Sequence, residues 1–291
     1  MNNPLTGTRE PAGLTIAPAS LDAWHEVAEW CADEGWNPGR GDVGCFHPTD
    51  PAGFFTGRID GELATAISVV TYSDRYAFLG YYLTRPDLRG RGLGLATWRA
   101  AFGHAGDRLV GLDAVPAQQA NYQRSGFIPA YGTVRWSGRP ERAGAPAPGT
   151  VPVAPEHLDA IAAYDRECFP ADRRGFVSRW LGTAGHTAHV RLRDGRVTGY
   201  GVIRPARDAY RIGPLFADTP DDAGALLDAL TSGLGPGDEV AVDMPETQPA
   251  AAEIAADRGL TAQFPTVRMY TGPAPEIRTE RVFGITTLEL G

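Results

Sequence analysis

The chain repeats itself, and the repeat restricts its fold to something built twice. Thr133-Val134-Arg135 lies seven residues after Gly126, and Thr266-Val267-Arg268 lies seven after Gly259. The strand-like pairs Leu112-Asp113 and Val242-Asp243 precede them. Further upstream, Asp60-Gly61 matches Asp194-Gly195 and Tyr76 matches Tyr210, both at a shift of 134. Ala17-Pro18-x-x-Leu21-Asp22-Ala23 matches Ala154-Pro155-x-x-Leu158-Asp159-Ala160. Five matches in one order, at shifts between 130 and 137, identify a duplicated unit. A chain of 291 residues has room for two such units, each able to bury a core of its own.

Each copy reads strand, helix, hairpin, strand, helix, strand, helix, strand. The hairpins run from Gly53 to Thr71 and from His186 to Arg204. Asp60-Gly61 and Asp194-Gly195 supply their two-residue turns. This order predicts an α/β fold of two tandem domains, each a mixed, mostly antiparallel sheet flanked by helices. The expected division is residues 1–138, a Pro/Gly-rich linker at 139–150, and residues 151–291. Three prolines and three glycines with no apolar period mark the junction, Ser137 to Thr150. The tail from Arg281 is apolar enough to pack as a strand or between the copies.

The copies differ most at Arg89-Gly90-Arg91-Gly92-Leu93-Gly94. This run follows the apolar stretch Ala77 to Leu83 and opens into a helix-like segment ending near Phe102. Backbone N–H groups without intrahelical partners converge there with the positive end of a helix dipole. Glycines remove the Cβ atoms that would hold a phosphate off. The expected product is a pyrophosphate cradle made of backbone, with Arg89 and Arg91 adding charge. The spacing is neither that of a P-loop nor that of a dinucleotide fingerprint. At the same place the second copy reads Ala217-Asp218-Thr219-Pro220-Asp221-Asp222-Ala223-Gly224, with acids where a pyrophosphate would sit. Ala255 stands four residues before Gly259, where the first copy has Tyr122 before Gly126. The second copy is therefore predicted to bind no pyrophosphate-bearing ligand.

R-x-x-G-x-G after a strand, then the strand Leu109 to Ala114, then Tyr122-x-x-x-Gly126-Phe127 resembles the GNAT superfamily of acyl-CoA-dependent N-acetyltransferases. The resemblance covers residues 12–138. Glu34-Gly35-Trp36-Asn37-Pro38-Gly39 resembles a bacterial subgroup with two GNAT-like halves. Many members carry Asn seven residues before the Tyr, where this chain has Val115. The resemblance implies acetyl-CoA as co-substrate and a cradle at Arg89, Gly90, Arg91, Gly92, Leu93, Gly94 and Leu95. It implies a pantetheine arm paired along Tyr82, Leu83 and Thr84, with a backbone N–H near Leu83 polarising the thioester carbonyl. It makes Tyr122 the general acid that protonates the departing CoA sulfur.

The base is left open. Asp113 ends the strand expected to face the cleft, as a base or substrate contact. Asp243 at the same place in the second copy favours a structural role for Asp113, such as bonding a helix start. Glu34 and Asp42 could hold a cationic group, with Trp36 and Phe46 as pocket walls and Cys45 in a lining loop. His47 or a chain of waters could move the proton. The acceptor class implied is a small-molecule primary amine, with a protein or peptide amine as the alternative. A non-catalytic acyl-CoA-binding module and a longer acyl group are the remaining alternatives.

Composition narrows the rest. The chain carries no lysine, and its 27 arginines face 35 acids for a net charge of −8, which argues against nucleic-acid binding. It has no apolar run of membrane-spanning length, and Met1 to Thr6 lacks the regions of a signal peptide. Three cysteines without ligand spacing read as reduced thiols, so the expectation is a cytoplasmic monomer or homodimer with no metal. His186-x-x-His189 on a strand would point its two rings to opposite faces and reads as structural.

Overall fold

In the computed structural model, residues 13–140 and 146–291 are described. Glu141–Ala145 of the expected linker, and the N-terminal residues read for a signal peptide, lie outside the described residues. The first copy contains β1 (Leu14–Pro18), α1 (Leu21–Asp33), α2 (Asp42–Phe46), β2 (Phe54–Ile59), β3 (Glu62–Thr71) and β4 (Tyr76–Thr84). It continues with α3 (Leu93–Phe102), β5 (Leu109–Ala114), α4 (Gln119–Arg124) and β6 (Ile128–Gly138). The second copy contains β7 (Thr150–Pro152), α5 (Leu158–Cys168), α6 (Arg174–Gly182), β8 (Thr187–Arg193), β9 (Arg196–Pro205) and β10 (Tyr210–Ala217). It ends with α7 (Pro220–Thr231), β11 (Val240–Pro245), α8 (Pro249–Ala256), β12 (Thr261–Tyr270) and β13 (Val282–Gly284).

Local chemistry accounts for these elements. In both hairpins the Asp-Gly pair adopts positive φ, 51° and 84° in the first copy and 51° and 75° in the second. That backbone twists the turn in the sense the flanking strands need. In α1, Ser20 Oγ accepts from the Ala23 N–H, and Trp24, Val27 and Cys31 bury one stripe. No helix among the described residues is long and apolar enough to cross a membrane.

The strands do not form two separate sheets. They make one 13-stranded sheet in the order β1-β2-β3-β4-β5-β12-β6-β11-β10-β9-β8-β7, with β13 beside β10. Each copy has given its last long strand to the other. β12 pairs antiparallel with β5, and β6 pairs antiparallel with β11. Repeated residues meet across the exchange. Arg268 on β12 donates from Nε and Nη2 to Asp113 on β5, both at 2.8 Å. Arg135 on β6 donates to Asp243 on β11 at 2.8 and 3.2 Å. The Arg268–Asp113 pair is buried and the Arg135–Asp243 pair nearly so, and each joins one copy to the other.

The largest core cluster also belongs to both copies. Phe46 of the first copy stacks on Trp180 of the second, with ring centroids 5.6 Å apart. Beneath them Arg204 donates to Asp42 at 2.7 Å in a fully buried pair.

Candidate active site

The site begins with a bulge. Along the β3–β4 pairing, Ser68 faces Gly80 but Ala66 faces Leu83, so β4 holds one residue more than β3. Tyr81 takes up the excess at φ 48°, in the left-handed region, its ring fixed 5.4 Å from Trp24. β4 runs parallel to β5 only from Tyr76 to Phe78. Beyond Phe78 the two strands diverge into a V, which opens on a cavity of about 420 Å³.

The turn at residues 89–94 lies at the outer end of this V. Gly90 and Gly92 have φ of 77° and 80°, and Gly92 caps α3 without any side-chain hydrogen bond. The first N–H groups of the helix therefore point outward with no cap to receive them. A Cβ on Gly94 would lie 2.7 Å from Thr84 Oγ1 and 3.0 Å from Tyr82 Oη, so glycine lets the helix head sit directly on β4. Leu93 is buried, while Arg91 and Leu95 are exposed. Arg89 leans away from the helix head: it donates to Thr84 O at 3.0 Å and to both oxygens of Glu34 at 3.0 and 3.1 Å.

Tyr122 lies on α4 at the wall of the cavity, packed on Trp98 and Phe127 with centroids 5.8 and 6.1 Å away. Burial, with Tyr82 nearby, pushes its phenol well above the usual tyrosine range. Burial raises Tyr82 to about 12. Both hydroxyls are therefore proton donors at neutral pH.

The other candidates fare differently. Trp36 and Glu34 line the cavity, though Glu34 is engaged by Arg89. Asp42 does not face the cavity. It is fully buried, accepting from Arg204 and from the Gly39 N–H, and it ties the copies together instead of holding a substrate. Asp113 also lines the cavity, and each oxygen of its carboxylate accepts a hydrogen bond from Arg268. Phe46 is core, Cys45 Sγ contacts Thr183 Oγ1, and His47 Nε2 is bonded to Ala19 O. His186 and His189 sit apart from the cavity, and no cluster able to hold a metal occurs among the described residues.

Sequence reasoning did not single out three of the lining residues: Phe264 and Glu289 from the second copy, and Arg135 on β6 of the first. Glu289 follows β13 and is 4 % exposed, with no hydrogen bond or ion pair among the described residues. The signal was a lone acid between Leu288 and Leu290 in an otherwise apolar segment.

A second V exists between β10 and β11, which are parallel only from Tyr210 to Ile212. This one is filled. β13 pairs with β10 inside it, and the Ile285 N–H donates to Asp243 O at 2.9 Å. The head of α7 is closed as well: Thr219 Oγ1 accepts from the Asp222 N–H, and Asp222 is paired with Arg191 and Arg193.

Comparisons with known proteins agree with this fold. Residues 21–127 match the family described as Acetyltransferase (GNAT) family, and residues 161–284 match one described as Acetyltransferase (GNAT) domain. A relative named holothin acyltransferase, from Pseudoalteromonas sp. (strain SANK 73390), is 32% identical over 277 residues, 95% of this chain and 94% of its own. Among solved structures, one titled a putative acetyltransferase from Pyrococcus horikoshii superposes with a TM-score of 0.81 at 21% identity, covering 98% of both chains. A tandem GNAT protein from the clavulanic acid biosynthesis pathway gives a TM-score of 0.62 at 15% identity, covering 90% of this chain and 99% of its own. The two structures speak to the fold alone.

Proposed function

The chain belongs to the GNAT family of acyltransferases, as two GNAT domains in tandem, and from that premise we propose that it moves an acetyl group from acetyl-CoA to a primary amine of a small molecule. The observation that carries this reading is the contrast between the two V-shaped openings. The first is open, headed by an uncapped glycine turn, and leads to a cavity walled by Tyr122. The second is plugged by β13, beside a helix whose first turn is capped and acidic.

In this reading residues 1–138 carry the chemistry, 139–150 link, and 151–291 bind no acyl-CoA but complete the cavity. The N–H groups of Gly90 to Leu95 hold the pyrophosphate, with Arg91 adding charge. Arg89 braces the turn through Glu34. The free edge of Tyr82, Leu83 and Thr84 receives the pantetheine arm, and an N–H near Leu83 polarises the thioester carbonyl. Tyr122 gives its proton to the sulfur as the C–S bond breaks. A cytoplasmic location goes with this reading.

Two measurements test it. Calorimetry should find one acetyl-CoA equivalent per chain. A thiol-release assay with acetyl-CoA and a panel of amines should find amine-dependent release. The panel includes holothin, the acceptor in the relative's name. Two equivalents bound, or release that no amine stimulates, would overturn the proposal.

A further inference from the structure

We propose that Glu289, brought by the segment after β13 into the first copy's cavity, is the carboxylate that binds the acceptor's ammonium and takes its proton. This rests on the acetyl-transfer reading above and assigns its missing base.

The placement of Glu289 is fixed at every side. Upstream, Ile285 is bonded to Asp243, and Thr286 Oγ1 accepts from Arg173 Nη2 at 2.8 Å. Downstream, Tyr72 Oη donates to Leu290 O at 2.9 Å. At Glu289 itself the backbone lies against β4 so closely that a Cβ on Gly80 would be 1.8 Å from Glu289 O. The carboxylate thus sits at the bulge of β4, where the V opens, in the cavity that Tyr122 also lines.

Its surroundings do not satisfy it. Arg135 and Arg211 are the nearby cations, and both already donate to Asp243. Asp42 and Asp243 add negative charge, while Cys31 and Tyr81 are neutral and buried. A carboxylate buried without a partner costs several kcal/mol, so the site favours a cation or a proton. Burial pushes its carboxyl up, against the pull of Arg211 and Arg135. The cavity's one unengaged acid among the described residues is therefore tuned to exchange a proton with an amine.

The proton balance closes. The ammonium gives one proton to Glu289, and the neutral nitrogen attacks the thioester carbonyl. The C–N bond forms, the C–S bond breaks, and the sulfur leaves with the Tyr122 proton. The second amine proton restores the Tyr122 phenol, and the Glu289 proton is the one released to water.

The test is Glu289→Gln, with Glu289→Asp as the conservative variant. Hexylamine binding by calorimetry at neutral pH should weaken about tenfold or more in Glu289→Gln and partly recover in Glu289→Asp. Turnover of hexylamine should fall about 10²-fold, and the acidic limb of its pH profile should vanish. Aniline, already neutral at that pH, should lose far less, and acetyl-CoA affinity should hold. Hexylamine binding that is equal in wild type and Glu289→Gln, or absent from both, overturns the assignment. A binding difference without thiol release for any amine would leave it standing and sink the transfer reading alone.

Discussion

In the proposed reaction Tyr122 and Glu289, which line one cavity, have opposite tasks. Burial holds the resting phenol protonated, so Tyr122 enters the reaction as a donor, and another group must take the ammonium's proton. Replacing Tyr122 with Phe should lower kcat by about 10²-fold or more while acetyl-CoA affinity is retained, as read by thiol release and calorimetry. An unchanged kcat would remove Tyr122 from the reaction. The tyrosine was legible because its distance from Gly126-Phe127 is set within one short helix. Glu289 was not, because its position depends on β13 docking far away in sequence. Asp42 and Asp113 looked like free acids for the same reason. Their partners, Arg204 and Arg268, come from the other copy at separations of 162 and 155 residues. Sequence chemistry identifies an acid, and only packing decides whether it is already neutralised.

At the level of elements, two helices with one ancestry have opposite ends. The head of α3 is a bare glycine turn, and that of α7 is capped by Thr219 and crowded by Asp221 and Asp222. Both ends, and both Asp-Gly hairpins, were visible in the sequence because caps and tight turns are decided by a few adjacent residues. The bulge in β4 was not visible, since Tyr81 has no local reason to adopt positive φ. The bulge matters because Gly80 beside it receives the backbone of Glu289. Gly80→Ala would place a methyl against a carbonyl that cannot move without releasing the segment from Tyr72. The amine KM should rise several-fold while acetyl-CoA affinity changes little. Equal losses in both would mean that the substitution has disturbed the V as a whole.

For the whole molecule, the exchange of β6 and β12 turns a duplicated chain into one cooperative body. Arg268→Ala would leave Asp113 buried without its cation, a defect costing about 3–5 kcal/mol. Calorimetry of that variant should show the entire chain melting earlier in a single transition. Two separated transitions would mean that the copies fold apart. The duplication was legible, but the exchange was not, because two strands with the same residue pattern pair equally well with either copy. The exchange also governs how the protein is made. β5 waits for a neighbour that is translated some 155 residues later, a delay of roughly ten to thirty seconds at cellular synthesis rates. Until then that edge of β5 lacks its final neighbour, and a strand edge left unpaired is open to capture by other chains. The cavity closes only when the segment bearing Glu289 has left the ribosome. A chain released early could still display the glycine turn, yet it would lack the acid for the amine.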